Sequence, residues 1–291
     1  MLKRILLILL VSPCLLQAFP DLPAFRDAPN NVHHQGKLLW MDLFTEDVEK
    51  EVSFYTGLFG WESETLTDDF VTYTLLKNGE TPIAGVVYRP ASEGATVQGI
   101  WMPYLSVKNI KKTMKKVVAS DGRIEVPLNE FSNRGKQVIV RDREGALLGL
   151  MESATGDPDD LPGEVGDFAW AQLFVRDIDG AVQFYTKIFG YESEQREKNK
   201  NVFAHLFKND DKYRTSLQKI SDERPNAHPS WISLVPVVNL EETLKKAKAL
   251  GGVVAWGPDP EVLQGRIAYI EDPAGASLMV LEKKKEDMGD E

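Results

Sequence analysis

Residues 54–64 read FYTGLFGWESE, and residues 184–194 read FYTKIFGYESE. Agreement this close within one 291-residue chain calls for an internal comparison. At a constant offset of 130 residues the matches continue in both directions. Trp40 falls on Trp170, Asp47 on Asp177, Trp101 on Trp231, Asn109 on Asn239, Gly135 on Gly265, Asp142 on Asp272 and Gly145 on Gly275. A single-residue slip near Lys77 and Lys208 is absorbed within the repeat. The chain is therefore a tandem duplication, and the two copies must share one fold.

A fainter repeat lies inside each copy. Residues 37–44 and 168–175 are short apolar runs with a polar interruption, the pattern of a buried strand. Each leads into Asp47 or Asp177, whose carboxylate suits the free N–H groups that open a helix. In the first helix Val48, Val52, Tyr55 and Phe59 fall on one face, with Glu49, Lys50 and Glu51 on the other. Gly60 and Gly190 stop the two helices. Three strand-like segments follow each stop, at 61–64, 70–76 and 83–88 and at 191–194, 202–207 and 215–220. The second half of each copy repeats the order, with opening strands at 101–107 and 231–237 and helices at 110–119 and 240–250. The turns DREG (142–145) and DPAG (272–275) close the last hairpins. The predicted fold class is α+β, built from four strand–helix–three-strand modules.

Composition bounds the function. With 43% hydrophobic and 27% charged residues the chain is globular and long enough for two domains. Its 34 basic and 44 acidic residues repel polyanions, and the lysines between 108 and 116 read as the solvated side of a helix, so no nucleic-acid partner is expected. Lys3 and Arg4 precede the apolar run ILLILLV, and Ala18 supplies a small residue at a cleavage point, which predicts an export signal and a periplasmic or extracellular protein. The apolar run, interrupted by Pro13, is too short to span a bilayer, although an N-terminal anchor stays open as an alternative. The single cysteine, Cys14, lies inside that signal, leaving the mature chain without thiol chemistry. The expected organisation is a signal over 1–18, a linker over 19–36, domains over 37–153 and 167–283, a linker over 154–166 and a charged tail over 284–291. Paired acids such as Asp159-Asp160 and Asp210-Asp211 read as solvated turns.

The doubled module, FYT-x-x-FG-[WY]-E after the first helix, and D-[PR]-x-G in the last hairpin together resemble the vicinal oxygen chelate superfamily, the glyoxalase, bleomycin-resistance and extradiol-dioxygenase group. The resemblance covers both copies. It implies two tandem domains, each of two βαβββ modules whose curved mixed sheets surround a concave pocket. It also implies a divalent metal held by His or Glu from the opening and closing strands. Carried across, those metal positions fall on Trp40, Met102 and Gly149, with a fourth near Gly85. In the second copy they fall on Trp170, Ile232 and Met279, with a fourth near Ser216. None offers an imidazole or carboxylate, so no metal site and no cofactor are predicted on the family pattern. A divalent metal on other side chains, recruiting His33, His34 or His205, stays open; His228 sits in a connector.

Strand alternation carries Asp42 inward with Trp40, and Gln172 with Trp170. Met102 and Tyr104 are expected to line the first concavity, Ile232 and Met279 the second. An indole beside a polar group is suited to a small organic ligand, and Trp40 with Asp42 to a planar or amine-bearing one. The leading expectation is a metal-free binding protein. One alternative is an enzyme of the same fold, with a non-standard metal site or Asp42 as general base; the other is an interaction module with filled pockets. Open strand edges also allow pairing with a second copy of the chain.

Overall fold

The computed structural model describes residues 22–23, 31–67, 72–91, 98–160, 163–195 and 205–284. The predicted export signal, Cys14, Asp68-Asp69 and most of the acidic tail lie outside the described residues. No helix among the described residues is long and apolar enough to cross a membrane.

The first copy runs β1 (Leu38–Thr45), α1 (Val48–Phe59), β2 (Glu62–Thr67), β3 (Thr72–Asn78) and β4 (Thr81–Tyr88), then β5 (Ile100–Ser106), α2 (Ile110–Val118), β6 (Arg123–Phe131), β7 (Gly135–Arg141) and β8 (Leu147–Ser153). The second runs β9 (Trp170–Val175), α3 (Ile178–Phe189), β10 (Glu192–Gln195), β11 (His205–Asn209) and β12 (Lys212–Lys219), then β13 (Ser230–Val237), α4 (Leu240–Ala249), β14 (Val253–Trp256), β15 (Ile267–Glu271) and β16 (Ser277–Glu282). Each copy makes one curved eight-stranded mixed sheet, in the orders β2-β3-β4-β1-β5-β8-β7-β6 and β10-β11-β12-β9-β13-β16-β15-β14. The two modules of a copy join edge to edge where their opening strands pair antiparallel, β1 on β5 and β9 on β13.

The capping signals act as the sequence suggests. Asp47, Asn109, Asp177 and Asn239 each accept a backbone N–H three residues on, and Gly60 and Gly190 end their helices at φ 77° and 71°. The buried side of α1 is rotated from the predicted one. It consists of Glu51, Phe54, Tyr55 and Leu58, whereas Val48, Val52 and Phe59 are half-buried. Glu51, expected in solvent, is fully buried because a neighbour from the other copy covers it.

That neighbour follows from how the copies share their cores. One core combines Leu105, Val107, Ile110 and Val117 of the second module with Leu173, Phe184, Tyr185 and Ile188 of the third. The other combines Leu43, Phe54, Tyr55 and Trp101 of the first copy with Val235, Leu240, Leu244 and Val280 of the fourth module. The hydrogen bonds across this boundary are reciprocal. Tyr55 Oη donates to Asp272 at 2.8 Å and Tyr185 Oη to Asp142 at 2.9 Å. Trp61 Nε1 donates to the Gly166 carbonyl and Tyr191 Oη to the Gly36 carbonyl, both at 2.8 Å. The repeated FYT and D-x-x-G motifs are thus each other's partners across the duplication.

The connecting segments are tied down more firmly than their composition suggests. Asp157 is fully buried and accepts from Ser106 Oγ at 2.5 Å, the His34 N–H at 2.6 Å and Ser153 Oγ at 2.7 Å. Asp160, expected in a solvated turn, binds Arg214 at 2.6 Å and Lys37 at 3.0 Å. Burial raises its pKa, but those two cations outweigh it and hold the carboxyl well below the usual range. Asp210 and Asp211 do form an exposed turn, both at positive φ.

Candidate functional site

In each copy the helices cover one side of the sheet, and the residues alternating with that core point to the other, concave side. Met41 and Leu43 face the helices, while Trp40 and Asp42 face the cup. Ala171 and Leu173 face the helices, and Trp170 faces the second cup. The sheet register then brings Met102 opposite Asp42 and Tyr104 opposite Trp40 in the first domain. In the second, Ile232 and Ser216 lie opposite Gln172, and Met279 opposite Leu234. The eight residues singled out by alternation therefore gather four and four on two separate faces.

The two faces differ in what fills them. In the first, Trp40 is 4% exposed, Tyr104 3% and Asp42 6%. Asp42 accepts from Tyr73 Oη at 2.6 Å and from Trp40 Nε1 at 2.9 Å. Burial pushes the Asp42 carboxyl up, opposed by the Tyr73 hydrogen bond and by the positive charge of Arg134. The Arg134 guanidinium lies 3.9 Å from the centre of the Trp40 ring, so the indole face predicted for a ligand cation carries an internal one. Leu22 closes this face, buried among Trp40, Tyr73, Met102 and Tyr104. Sequence reasoning missed Tyr73, Arg134 and Leu22. Alternation along β3 could have found Tyr73, but no local pattern marks the other two.

In the second face Gln172 and Ser216 are fully buried, and Trp170 Nε1 donates to Ser216 Oγ at 2.8 Å. Around them Trp170, Phe174, Ile232, Trp256 and Tyr269 are all half-buried. Phe174 stands edge-on to Tyr269 at 6.0 Å, and Trp256 likewise at 5.3 Å. The second cup is thus an aromatic, partly open surface with hydroxyl and amide groups on its floor. Phe174 was within reach of the sequence, since it continues the alternation Trp170, Gln172.

The family metal positions can be tested directly. A Cβ built on Gly85 would lie 1.9 Å from Tyr73 Oη and 2.7 Å from Asp42 Oδ1, and one on Gly149 would lie 2.0 Å from the Tyr104 ring. Larger side chains at those glycines would meet space already filled by the two tyrosines. With Trp40 and Met102 as the remaining pair, the first domain does not fit a metal at these places. Trp170, Ser216, Ile232 and Met279 do not fit one in the second. The histidines are engaged separately: His33 Nδ1 lies 3.1 Å from Ser153 Oγ, and His205 Nδ1 lies 3.0 Å from Ser193 Oγ on the helix side of its sheet. No cluster of three or more His, Cys, Asp or Glu side chains arranged for a metal exists among the described residues.

Comparison with known proteins agrees with this architecture. The model of the Glyoxalase/Bleomycin resistance protein/Dioxygenase superfamily matches residues 37–150 and again 167–280. The chain belongs to that superfamily. Among its members, the chain is 27% identical over 252 residues to the putative glyoxylase CFP32 of Mycobacterium bovis, covering 86% of this chain and 95% of that one. It is 24% identical over 262 residues to the anthracycline biosynthesis protein DauV of a Streptomyces species, covering 86% and 94%. Its fold is that of solved superfamily structures. The Mn(II)-bound glyoxalase from Novosphingobium aromaticivorans aligns with TM-score 0.58 at 14% identity, over 86% of this chain and 83% of that one. A 2,2',3-trihydroxybiphenyl 1,2-dioxygenase from Sphingomonas wittichii aligns with TM-score 0.56 at 13% identity, over 86% and 91%.

Proposed function

We propose that this superfamily member is an exported, metal-independent protein that binds a small planar organic molecule on the concave face of its second domain. The observation that carries the reading is the contrast between the cups. In the second, Trp170 and Ile232 are half-buried beside the aromatic rings of Phe174, Trp256 and Tyr269, whereas Trp40 and Met102 at the equivalent places of the first are buried and Phe44, Val126 and Ile139 supply a single ring. Half-buried aromatic rings around a few fixed polar groups are the anatomy of a ligand pocket. Gln172 stands where the first copy has Asp42, and Ser216 Oγ, which accepts from Trp170, lies beside it beneath the rings. A neutral ring system with carbonyl or hydroxyl groups suits this floor better than an amine. The relative named for anthracycline biosynthesis points the same way, since anthracyclines are planar polycyclic molecules carrying such groups.

An anthracycline is accordingly the first probe. Titrated into residues 19–291, it is expected to show saturable fluorescence quenching that Trp170→Ala weakens about tenfold or more, given the ~1–3 kcal/mol that an aromatic stacking contact contributes. Trp40→Ala in the first domain should leave the binding curve in place. Absence of saturable binding across a panel of planar aromatics, or equal sensitivity to both substitutions, would overturn the assignment. Export is testable separately, by fusing residues 1–18 to a reporter that is active only outside the cytoplasm.

A further inference from the structure

The first cup is covered by Leu22 and Pro23 of the same chain. Leu22 is 3% exposed and sits among Trp40, Tyr73, Leu75, Met102, Tyr104 and Met151. Next to it, Arg134 Nε donates to the Pro23 carbonyl at 3.0 Å. Arg134 is itself only 2% exposed and is stacked on Trp40. A branched apolar side chain in an aromatic cup, followed by a carbonyl read by a buried guanidinium, is a recognition pattern for a short extended peptide. The two helix-side cores are built from other residues.

The second copy explains why the arrangement is confined to the first. At the 130-residue offset, Arg134 corresponds to Gln264, an exposed residue in a left-handed conformation, and Tyr104 corresponds to Leu234. The second face lacks the guanidinium. The anchor that keeps the segment nearby is also visible: Asn31 N–H donates to the Thr155 carbonyl at 2.9 Å, and Asp157 N–H to the Val32 carbonyl at 2.7 Å. Leu22 and Pro23 thus belong to the same chain as their pocket, so the internal occupant competes intramolecularly with any added peptide.

We propose that the concave face of the first domain is a second binding site, selective for an extended peptide-like ligand with a leucine-sized side chain followed by a carbonyl, and occupied in cis by Leu22-Pro23. The test uses the whole mature chain and a fluorescent synthetic peptide of residues 19–27. Fluorescence anisotropy should show the wild type binding this peptide poorly, and Leu22→Asp binding it at least about tenfold more tightly, because the tethered competitor is gone. Leu22→Ala, a milder change, should fall between them, which keeps the experiment informative if the aspartate variant folds poorly. Adding Arg134→Met to either variant should remove the gain. Equal binding by wild type and both folded Leu22 variants would overturn the proposal. So would a gain that survives Arg134→Met, because the peptide would then sit elsewhere. Anthracycline binding at the second domain is read independently, so either site can fail without the other.

Discussion

Asp42 and Gln172 occupy equivalent places in the two copies, yet one is the hub of a closed network and the other the floor of a half-open cup. The difference lies in what approaches from neighbouring strands. Tyr73 and Tyr104 occupy the space over Gly85 and Gly149, so those two glycines are required by close approach. Gly85→Ala or Gly149→Ala is therefore expected to destabilise the chain by about 1–3 kcal/mol, read as a lower midpoint in urea. Asp42→Ala removes an acceptor shared by Tyr73 and Trp40 and should cost about 1–3 kcal/mol, the range for one lost buried hydrogen-bond partner, because Trp40 Nε1 keeps a second acceptor in Tyr73 Oη at 2.9 Å. An Asp42→Ala chain as stable as wild type would mean that the network contributes nothing. Which residues face the cups was legible from the two-residue period alone, and Trp40, Asp42, Met102 and Tyr104 do share a face, as do Trp170, Gln172, Ile232 and Met279. What closes the first cup was not legible. Leu22 and Arg134 come from irregular segments whose positions depend on the assembled sheet.

At the scale of elements, helix α1 shows the same limit. Its periodicity gives a buried face, but Glu51 reads as solvated until α4 and the turn at Asp272 arrive from the other copy. Burial, and then the charge of Asp272, push the Glu51 carboxyl up to about 9. Among the described residues no donor reaches either Glu51 oxygen, which suits a protonated, uncharged carboxyl beside Asp272. The folded chain thus holds a proton that the unfolded chain releases above its ordinary pKa of 4.5. Stability from this pair is greatest at the acid end and declines as pH rises from about 4.5 towards 9. Thermal melts across that range should slope downward in the wild type and flatten in Glu51→Gln, and identical slopes would refute the assignment. The second copy has Ala181 at this place, so the reciprocal Tyr185–Asp142 contact should show no such dependence from a paired carboxyl.

At the scale of the molecule, the duplication is structural as well as historical. Each helix-side core draws on both copies, so neither copy holds a complete core of its own. Residues 19–158 and 163–284 expressed separately are expected to show little cooperative unfolding, and mixing them should restore a single cooperative transition. Two independently folded halves with the full chain's midpoint would contradict that arrangement. The repeat, the four modules and the α+β class were open to sequence comparison, because they rest on periodicity and on motifs retained in both copies. The exchange of partners between copies was not, since FYT and D-x-x-G read as local turn and helix signals until Tyr55 meets Asp272. The central claim is that this superfamily fold has filled its metal positions with packed side chains. Elemental analysis of residues 19–291, purified without an affinity tag or chelator, tests it most directly. The account predicts metal far below one equivalent and no rise in melting temperature on adding Zn, Ni, Mn or Fe(II). Near-stoichiometric metal that stabilises the fold on re-addition would contradict it.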